Sequence, residues 1–351
     1  MAGEIYGTTT LLSVMEQQKV LTPFWLSFFT QQINFETEDI FFDRVTTDYR
    51  RLAPFVAPNV QGRVQGRDGY DSVSFRPAYV KPKDIVDPNK DLIRRPGEAL
   101  GTGSLSNSQR RDAVIAEILR QHRTKLTNTN EWLAARALID AEVTVSGEDY
   151  PAQTINFRRH SSLNYNLTGT ARWSQSTGNP MADIRLAKQN AFNRSGVKIT
   201  DFVFGVQAWE YFTARVDIKA MMDRNFGGLN TEVTRLYDAY EGQEYLGRIA
   251  GLGGAGLMNI WIDSSKYVDS SGAEQFFLDQ DTVVGVSRSI EGVRCFGAIR
   301  DVKAGLQARE VFTKMWENED PSVEYLLSQS APLMVPKRPN ASFKIKVHNA
   351  S

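Results

Sequence analysis

The chain has 351 residues, 41% of them hydrophobic and 23% charged, and its 41 Lys and Arg balance 41 Asp and Glu to a formal net charge of +0. That length leaves room for two or three compact units, while the even charge argues against a dedicated nucleic-acid binder and leaves self-association unopposed. Cys295 is the single cysteine, which excludes an intrachain disulfide and fits a reducing compartment; no apolar run reaches the ~18 residues of a membrane span, and Met1–Lys19 lacks the pattern of a signal peptide.

Thr8–Thr10 offer N-caps and Leu11, Leu12, Val14 and Met15 form a partial apolar stripe, which predicts a short helix over 7–20. A second short helix is predicted over Pro23–Thr30, with Pro23 at its first position. Ile33–Val45 reads as extended. Phe24, Trp25, Phe28, Phe29, Phe35, Phe41 and Phe42 make this region heavily aromatic.

A long β-hairpin is predicted over 55–80. Val56, Val60 and Val64 share one face of its first strand, Val73, Phe75 and Tyr79 one face of its return strand, and Gly66-Arg67-Asp68-Gly69 supplies the turn. A hairpin of that length is marginal alone. Residues 50–104 also hold six of the 13 prolines, six glycines and ten Lys or Arg. Such a stretch buries too little apolar surface to offset about 1–2 kcal/mol of backbone entropy per residue. Neighbouring chains are therefore expected to complete the core of the first hundred residues.

Gly101–Asn107 is a Gly/Ser/Asn linker, after which Ser106 or Ser108 caps a long helix. Val114, Ile115, Ile118 and Leu119 mark its apolar face, Thr127-Asn128-Thr129-Asn130 is expected to weaken or bend it, and Trp132, Leu133, Leu138 and Ile139 carry the stripe to Val143. At 1.5 Å per residue it would span about 50 Å. From residue 180 the texture becomes α/β. Helices are predicted from Pro180 to Gly196, over Val206–Ile218 and over Thr231–Tyr240. Strands are predicted at Val197–Gly205, 243–250, 257–263, 274–278, 281–288 and 292–300, then a two-stranded ribbon over 309–335 turning at Asn318–Pro321, and a last strand Ser342–Val347.

Gly251-Leu252-Gly253-Gly254-Ala255-Gly256 matches a phosphate-binding GxGxxG string, but the following Leu257–Asp263 is strand-like, which favours a connection between strands over a nucleotide loop. His122, His160 and His348 stand at no metal-ligand spacing, and no metal or cofactor is expected. No GxSxG elbow marks a nucleophile, although a Ser/His/Asp triad is a matter of geometry that counting residues does not decide. Cys295 lies in a strand pattern and reads as a small core residue, and Glu317, Glu319 and Asp320 read as a solvated turn. The basic residues Arg50, Arg51, Arg63, Arg67, Arg76, Lys81 and Lys83 either pair with acidic surface on another subunit or contact DNA; without interleaved aromatics, the first reading is favoured.

Tyr79-Val80-Lys81-Pro82-Lys83, Gly169-Thr170 with Trp173-Ser174, and Gln329-Ser330-Ala331-Pro332-Leu333-Met334 together resemble the lambda-type phage major capsid proteins, the capsid protein E family. Leu11-Leu12, Val203-Phe204 with Trp209 and Phe212, and Phe277-Leu278 add weaker matches in the same order across nearly the whole chain. The resemblance implies an α+β chain with the Hong Kong 97 phage-type capsid fold. On that fold 1–50 would be an N-terminal arm, 51–95 the extended loop, 96–169 a peripheral domain with a spine helix at 108–143, 170–305 an axial domain, 306–337 a ribbon returning to the peripheral domain, and 338–351 a strand rejoining the axial domain.

The implied role is a virion shell protein, not an enzyme, assembled in the host cytoplasm as pentamers and hexamers into a procapsid that expands on DNA packaging. An encapsulin-like compartment is the alternative, and a nucleotide-binding enzyme a remote one. The implied partners are further copies of the chain, a scaffold, a portal, an external decoration protein and packaged DNA bound without sequence specificity, with no membrane. Phe24, Trp25, Phe28, Phe41 and Phe42 would anchor intersubunit packing. Val60, Val64, Val73, Phe75 and Tyr79 would cover the adjacent subunit's peripheral domain, with Arg63, Arg67, Lys81 and Lys83 setting registry. Gly251, Gly253, Gly254 and Gly256 would sit at the capsomer axis.

Overall fold

The computed structural model describes residues 6–17, 23–37, 39–46, 69–86, 106–147, 150–216, 218, 242–251, 256–269, 271–304, 309–319 and 323–348. The expected first hairpin strand over 55–64, the helix Thr231–Tyr240 and residues Arg63, Arg67, Gly253 and Gly254 lie outside these.

The arm begins with the helix Thr8–Gln17. Leu11 and Met15, one turn apart, are buried against Ile115 and Leu119 of the long helix and against Met315 and Leu326. A single 3-10 turn follows at Trp25–Phe28, shorter than the predicted helix. Gln31–Asn34 then runs parallel to Gly292–Phe296, which pairs antiparallel with Pro332–Pro336.

The return strand of the extended hairpin is Gly69–Phe75, and its partner is Ile40–Thr46, in register from Ile40↔Phe75 to Thr46↔Gly69. The first hairpin strand expected over 55–64 lies outside the described residues, and Ile40–Thr46 is a partner that the sequence reading did not name.

The long helix spans Asn107–Ile139 and starts in a capping box: the Gln109 amide donates to Ser106 Oγ at 3.3 Å, and the Ser106 amide to Gln109 Oε1 at 2.9 Å. It runs unbroken through Thr127–Asn130, where Thr129 Oγ1 donates to the Lys125 carbonyl at 2.9 Å and so spends its competing hydroxyl within the helix. The helix ends before the expected Val143, because Ala141 adopts a left-handed φ of 57°. Val143 instead lies in the strand Glu142–Gly147, paired with Tyr150–Asn156 in a hairpin that the sequence reading missed.

The helix C-terminus is fastened to the sheet beyond it. Buried Arg159 donates from Nη1 to the Leu138 carbonyl (2.8 Å) and Ser342 Oγ (3.1 Å), and from Nη2 to the Ile139 carbonyl (2.6 Å) and Asn164 Oδ1 (2.5 Å). A cation there meets the orphan carbonyls of the last turn. Lys344 Nζ adds a bond of 2.8 Å to Asp140.

Among the described residues the largest sheet has six strands in the order Asn164–Asn166, Ser342–Lys346, Thr282–Val286, Asp201–Gly205, Gly256–Asp263 and Gln243–Gly251. Its two central strands, Thr282–Val286 and Asp201–Gly205, are buried at every position, as expected of strands covered on both faces. Phe202, Phe204, Val283, Phe343 and Ile345 pack with Ile184, Ala187 and Ala191 of the helix Pro180–Ser195 and with Ala208 and Phe212 of the helix Val206–Thr213. At Gly285 a Cβ would fall 2.3 Å from the Phe343 ring, so this position demands glycine.

A third sheet orders Phe312–Asn318, Val323–Gln329 and Lys83–Val86. The predicted 309–335 ribbon is thus only partly a ribbon. Its last segment, Pro332–Pro336, leaves to join Gly292–Phe296 in another sheet.

Candidate intersubunit surfaces

The aromatic clasp closes on its own chain. Phe24, Trp25 and Phe28 are at most 2% exposed and share one core with Leu133, Ala134, Ala137 and Leu138 of the long helix and with Trp261. The Phe24 ring lies edge-on to Trp25 at 5.3 Å and 5.0 Å from Trp261. The expectation that these three residues anchor a neighbour is therefore corrected. The covering surface was to be found more than a hundred residues downstream in the same chain.

Two buried carboxylates hold this clasp. Glu131 accepts the Trp25 amide at 2.7 Å and the Leu26 amide at 2.8 Å, and so caps the 3-10 turn. Trp25 Nε1 donates to Asp263 Oδ2 at 2.9 Å, while Asp263 Oδ1 accepts from Gln243 Nε2 and the Ser265 amide, each at 2.9 Å. Burial pushes the Glu131 carboxyl up to about 8, against the opposing pull of the backbone bonds. Burial likewise raises the Asp263 carboxyl. Nothing in the sequence marked these acids except that Glu131 adjoins the apolar stripe at Trp132 and Leu133.

The hairpin residues divide differently. Phe41 is 53% exposed on the strand Ile40–Thr46, beside the fully buried Ile40. Phe42 and Val73 are paired partners across the hairpin backbone. Phe75 is half-buried against the main core. Tyr79 is half-buried, and its hydroxyl donates to the Ala298 carbonyl at 2.9 Å. Lys81 Nζ stands 4.7 Å from the Tyr79 ring, and Lys83 Nζ 4.0 Å from the Tyr325 ring and 5.3 Å from Trp316. Tyr79, Lys81 and Lys83 thus already make contacts within the chain, while Lys81 and Lys83 remain exposed.

Beneath the same strands, His122 is fully buried, with Nδ1 2.9 Å from Ser328 Oγ and Nε2 2.8 Å from Asp84 Oδ2. The spacing is that of an Asp–His–Ser array. Ser328 is itself fully buried and its hydroxyl is shared with Thr313 Oγ1 at 3.1 Å, so the array ties the long helix to the sheet and presents no nucleophile to solvent. Burial depresses the His122 imidazole below its ordinary range, against the pull of Asp84. Cys295 is buried, which pushes its thiol up to about 12.

Gly251 and Gly256 face each other as the last pair of one antiparallel hairpin, Gln243–Gly251 with Gly256–Asp263. Gly256 opens the strand Gly256–Asp263, so the glycine string is not followed by the helix that the phosphate-binding reading requires. Leu257, next to the tip, is 63% exposed.

The comparisons with known proteins agree with one another. A family model described as phage major capsid protein E matches residues 7–347. The major capsid protein of Escherichia phage lambda is 28% identical over 98% of this chain and 99% of its own length. A protein described as a prophage capsid protein from E. coli CFT073 superposes with a TM-score of 0.72 at 22% identity, covering 98% of this chain and 100% of that one. The mature capsid of bacteriophage PhiM1 superposes with a TM-score of 0.52 at 13% identity, covering 100% and 92%.

Proposed function

The chain belongs to the phage major capsid protein E family, with the Hong Kong 97 phage-type fold, and is a major capsid protein of a tailed phage; from that premise we propose how its parts divide the work of building a shell. The arm, assigned to 1–50, keeps Phe24, Trp25 and Phe28 in its own subunit. The hairpin of Ile40–Thr46 and Gly69–Phe75 is the element that crosses to a neighbour. The peripheral domain is carried by the long helix and the three-stranded sheet beside it, and the axial domain by the six-stranded sheet. The hairpin ending at Gly251 and Gly256 points to the axis of pentamers and hexamers. Arg63, Arg67, Gly253 and Gly254 keep their assigned roles in registry and at the axis under this proposal.

The observation that carries the reading is Phe41. A large aromatic side chain left 53% exposed next to a fully buried Ile40, on a ribbon of two strands among the described residues, favours cover from another chain. Assembly in the host cytoplasm on a scaffold, a portal at one vertex, expansion as DNA enters, an external decoration protein and nonspecific contact with packaged DNA complete the proposal, as does the absence of catalysis.

Negative-stain microscopy of the chain expressed alone and with its neighbouring reading frames tests it. Shells, tubes or capsomers are expected, and monomers under every condition would overturn it.

A further inference from the structure

The seam between the long helix and the six-stranded sheet carries a carboxylate on each wall. Glu131 lies on the helix and Asp263 at the end of the strand Gly256–Asp263, both buried. The charge of Asp263 is felt at Glu131. Donors for both come from the arm: the Trp25 and Leu26 amides go to Glu131 at 2.7 and 2.8 Å, and the Trp25 indole to Asp263 at 2.9 Å. The same turn reaches the sheet a second time. Arg288 donates from Nη1 to Ser27 Oγ and from Nη2 to the buried Asp201, each at 3.3 Å, and its guanidinium stands 4.4 Å from the centre of the Phe28 ring. A Cβ at Gly292 would fall 2.7 Å from the Phe28 carbonyl oxygen, so the turn lies directly on that backbone. Phe24, Trp25 and Phe28 share one core with Leu133 and Ala134 of the helix and with Val203 and Trp261 of the sheet.

We infer that the turn Trp25–Phe28 is an internal strut that sets the angle between the long helix and the six-stranded sheet, and through that angle the curvature of the shell. The link to curvature rests on the reading of the chain as a shell protein; the strut itself does not. Three points carry it. Without the turn the seam has no closed form, because the helix would bring Glu131 down beside Asp263 with neither the amides nor the indole to pair them. The helix has one other polar fastening to this sheet, at Arg159, which bonds Ser342 and Asn164 in two neighbouring strands. The turn bears on Asp263 and, through Arg288, on Asp201, in two different strands of the same sheet. One fastening leaves the helix free to swing about it, whereas two on separate strands fix an angle. Finally, Trp25 and Glu131 stand 106 positions apart, so the strut is a separate piece of chain whose seating changes without breaking the backbone of either wall. The helix carries the peripheral domain and the sheet the axial domain, so this one angle shapes the subunit from axis to rim.

The test reads a distance and a diameter. Nitroxide labels at the exposed positions Gln121→Cys on the helix and Lys198→Cys beside the sheet, in a Cys295→Ala background, report their separation in the unassembled full chain by double electron–electron resonance. Trp25→Phe with Arg288→Met keeps an aromatic core and removes the polar bonds from the turn to the sheet. This variant is expected to shift or broaden the distance distribution by several ångström, and to give shells of altered or mixed diameter in electron micrographs where the parent's are uniform. Gly285→Ala, strained on the opposite face of the same sheet against Phe343 and Ile199, is expected to lower stability with neither change. Should the double variant fail to fold, Arg288→Met alone, at a half-exposed side chain, carries the same expectation with a smaller shift. A parental distance distribution in the folded variant would overturn the strut, as would the same change in Gly285→Ala. A changed distance with shells of parental diameter would overturn the link to curvature. A parent that forms no shells would overturn the shell reading, while the distances would still decide the strut.

Discussion

Trp25 and Asp263 stand 238 positions apart and are joined by a 2.9 Å hydrogen bond from the indole Nε1 to a buried carboxylate. The bond ties the arm to the end of a strand of the largest sheet, Gly256–Asp263. Trp25→Phe keeps most of the ring volume and removes the donor, which leaves Asp263 underpaired. A loss of about 1–3 kcal/mol is expected, read from urea unfolding of the unassembled chain. Asp263→Asn in the same background is expected to recover part of it, and a Trp25→Phe variant as stable as the parent would deny the bond any weight.

Glu131 sets one sign of pH dependence. Its carboxyl is raised from 4.5 to about 8 in the folded chain, so between those values the folded state binds more protons than the unfolded state. The stability it contributes is complete below about 4.5 and is lost as pH rises through about 8. Glu131→Gln is neutral throughout and is expected to flatten that decline, although it leaves the Trp25 and Leu26 amides one acceptor short. Parallel pH slopes for variant and parent in melting experiments would contradict the assignment.

His122 sets the opposite sign. Its imidazole is depressed by burial, so below about 6.5 the unfolded chain takes up a proton that the folded chain refuses. The contribution is complete above that pH and is lost as pH falls toward the lower folded value. His122→Gln is expected to lower the melting temperature at pH 7.5 and to narrow the gap between pH 7.5 and pH 5.5. An undiminished gap would place the acid sensitivity elsewhere.

Gly285→Ala introduces a methyl 2.3 Å from the Phe343 ring, in the middle of the six-stranded sheet. Overpacking of this kind costs typically 1–3 kcal/mol. Phe343→Leu is expected to relieve part of that cost in the double variant, and strictly additive losses by denaturant titration would show that the two positions do not compete for the same space.

The arm shows how far the sequence could be read. Its aromatic excess correctly announced a surface that must be covered, because Phe24, Trp25 and Phe28 have no apolar complement within their own stretch. It did not say by whom, since Ala134, Ala137 and Leu138 become a groove only once the long helix has formed. Removing residues 1–30 is therefore expected to make the chain insoluble, not merely unable to assemble. The Ser106 cap, the long helix and the strand-to-strand nature of 251–256 were legible because each depends on neighbours in sequence. The pairing of Ile40–Thr46 with Gly69–Phe75 was not, because alternation marks a strand and leaves its partners open. Nor were the inward carboxylates Glu131 and Asp263, which are polar residues doing the work of a core and are recognised only by what they bond.

Arg159 gives the long helix one fixed end. Its guanidinium grips the last carbonyls at Leu138 and Ile139 and, in the same reach, Ser342 and Asn164 of the six-stranded sheet. A rod clamped at one end is a lever: at about 50 Å of length, a tilt of ~5° at the clamp carries the Ser106 end by about 4 Å. Small rotations of the sheet are thereby magnified along the rod, whose Ile115 and Leu119 pack with Val86 of the strand Lys83–Val86.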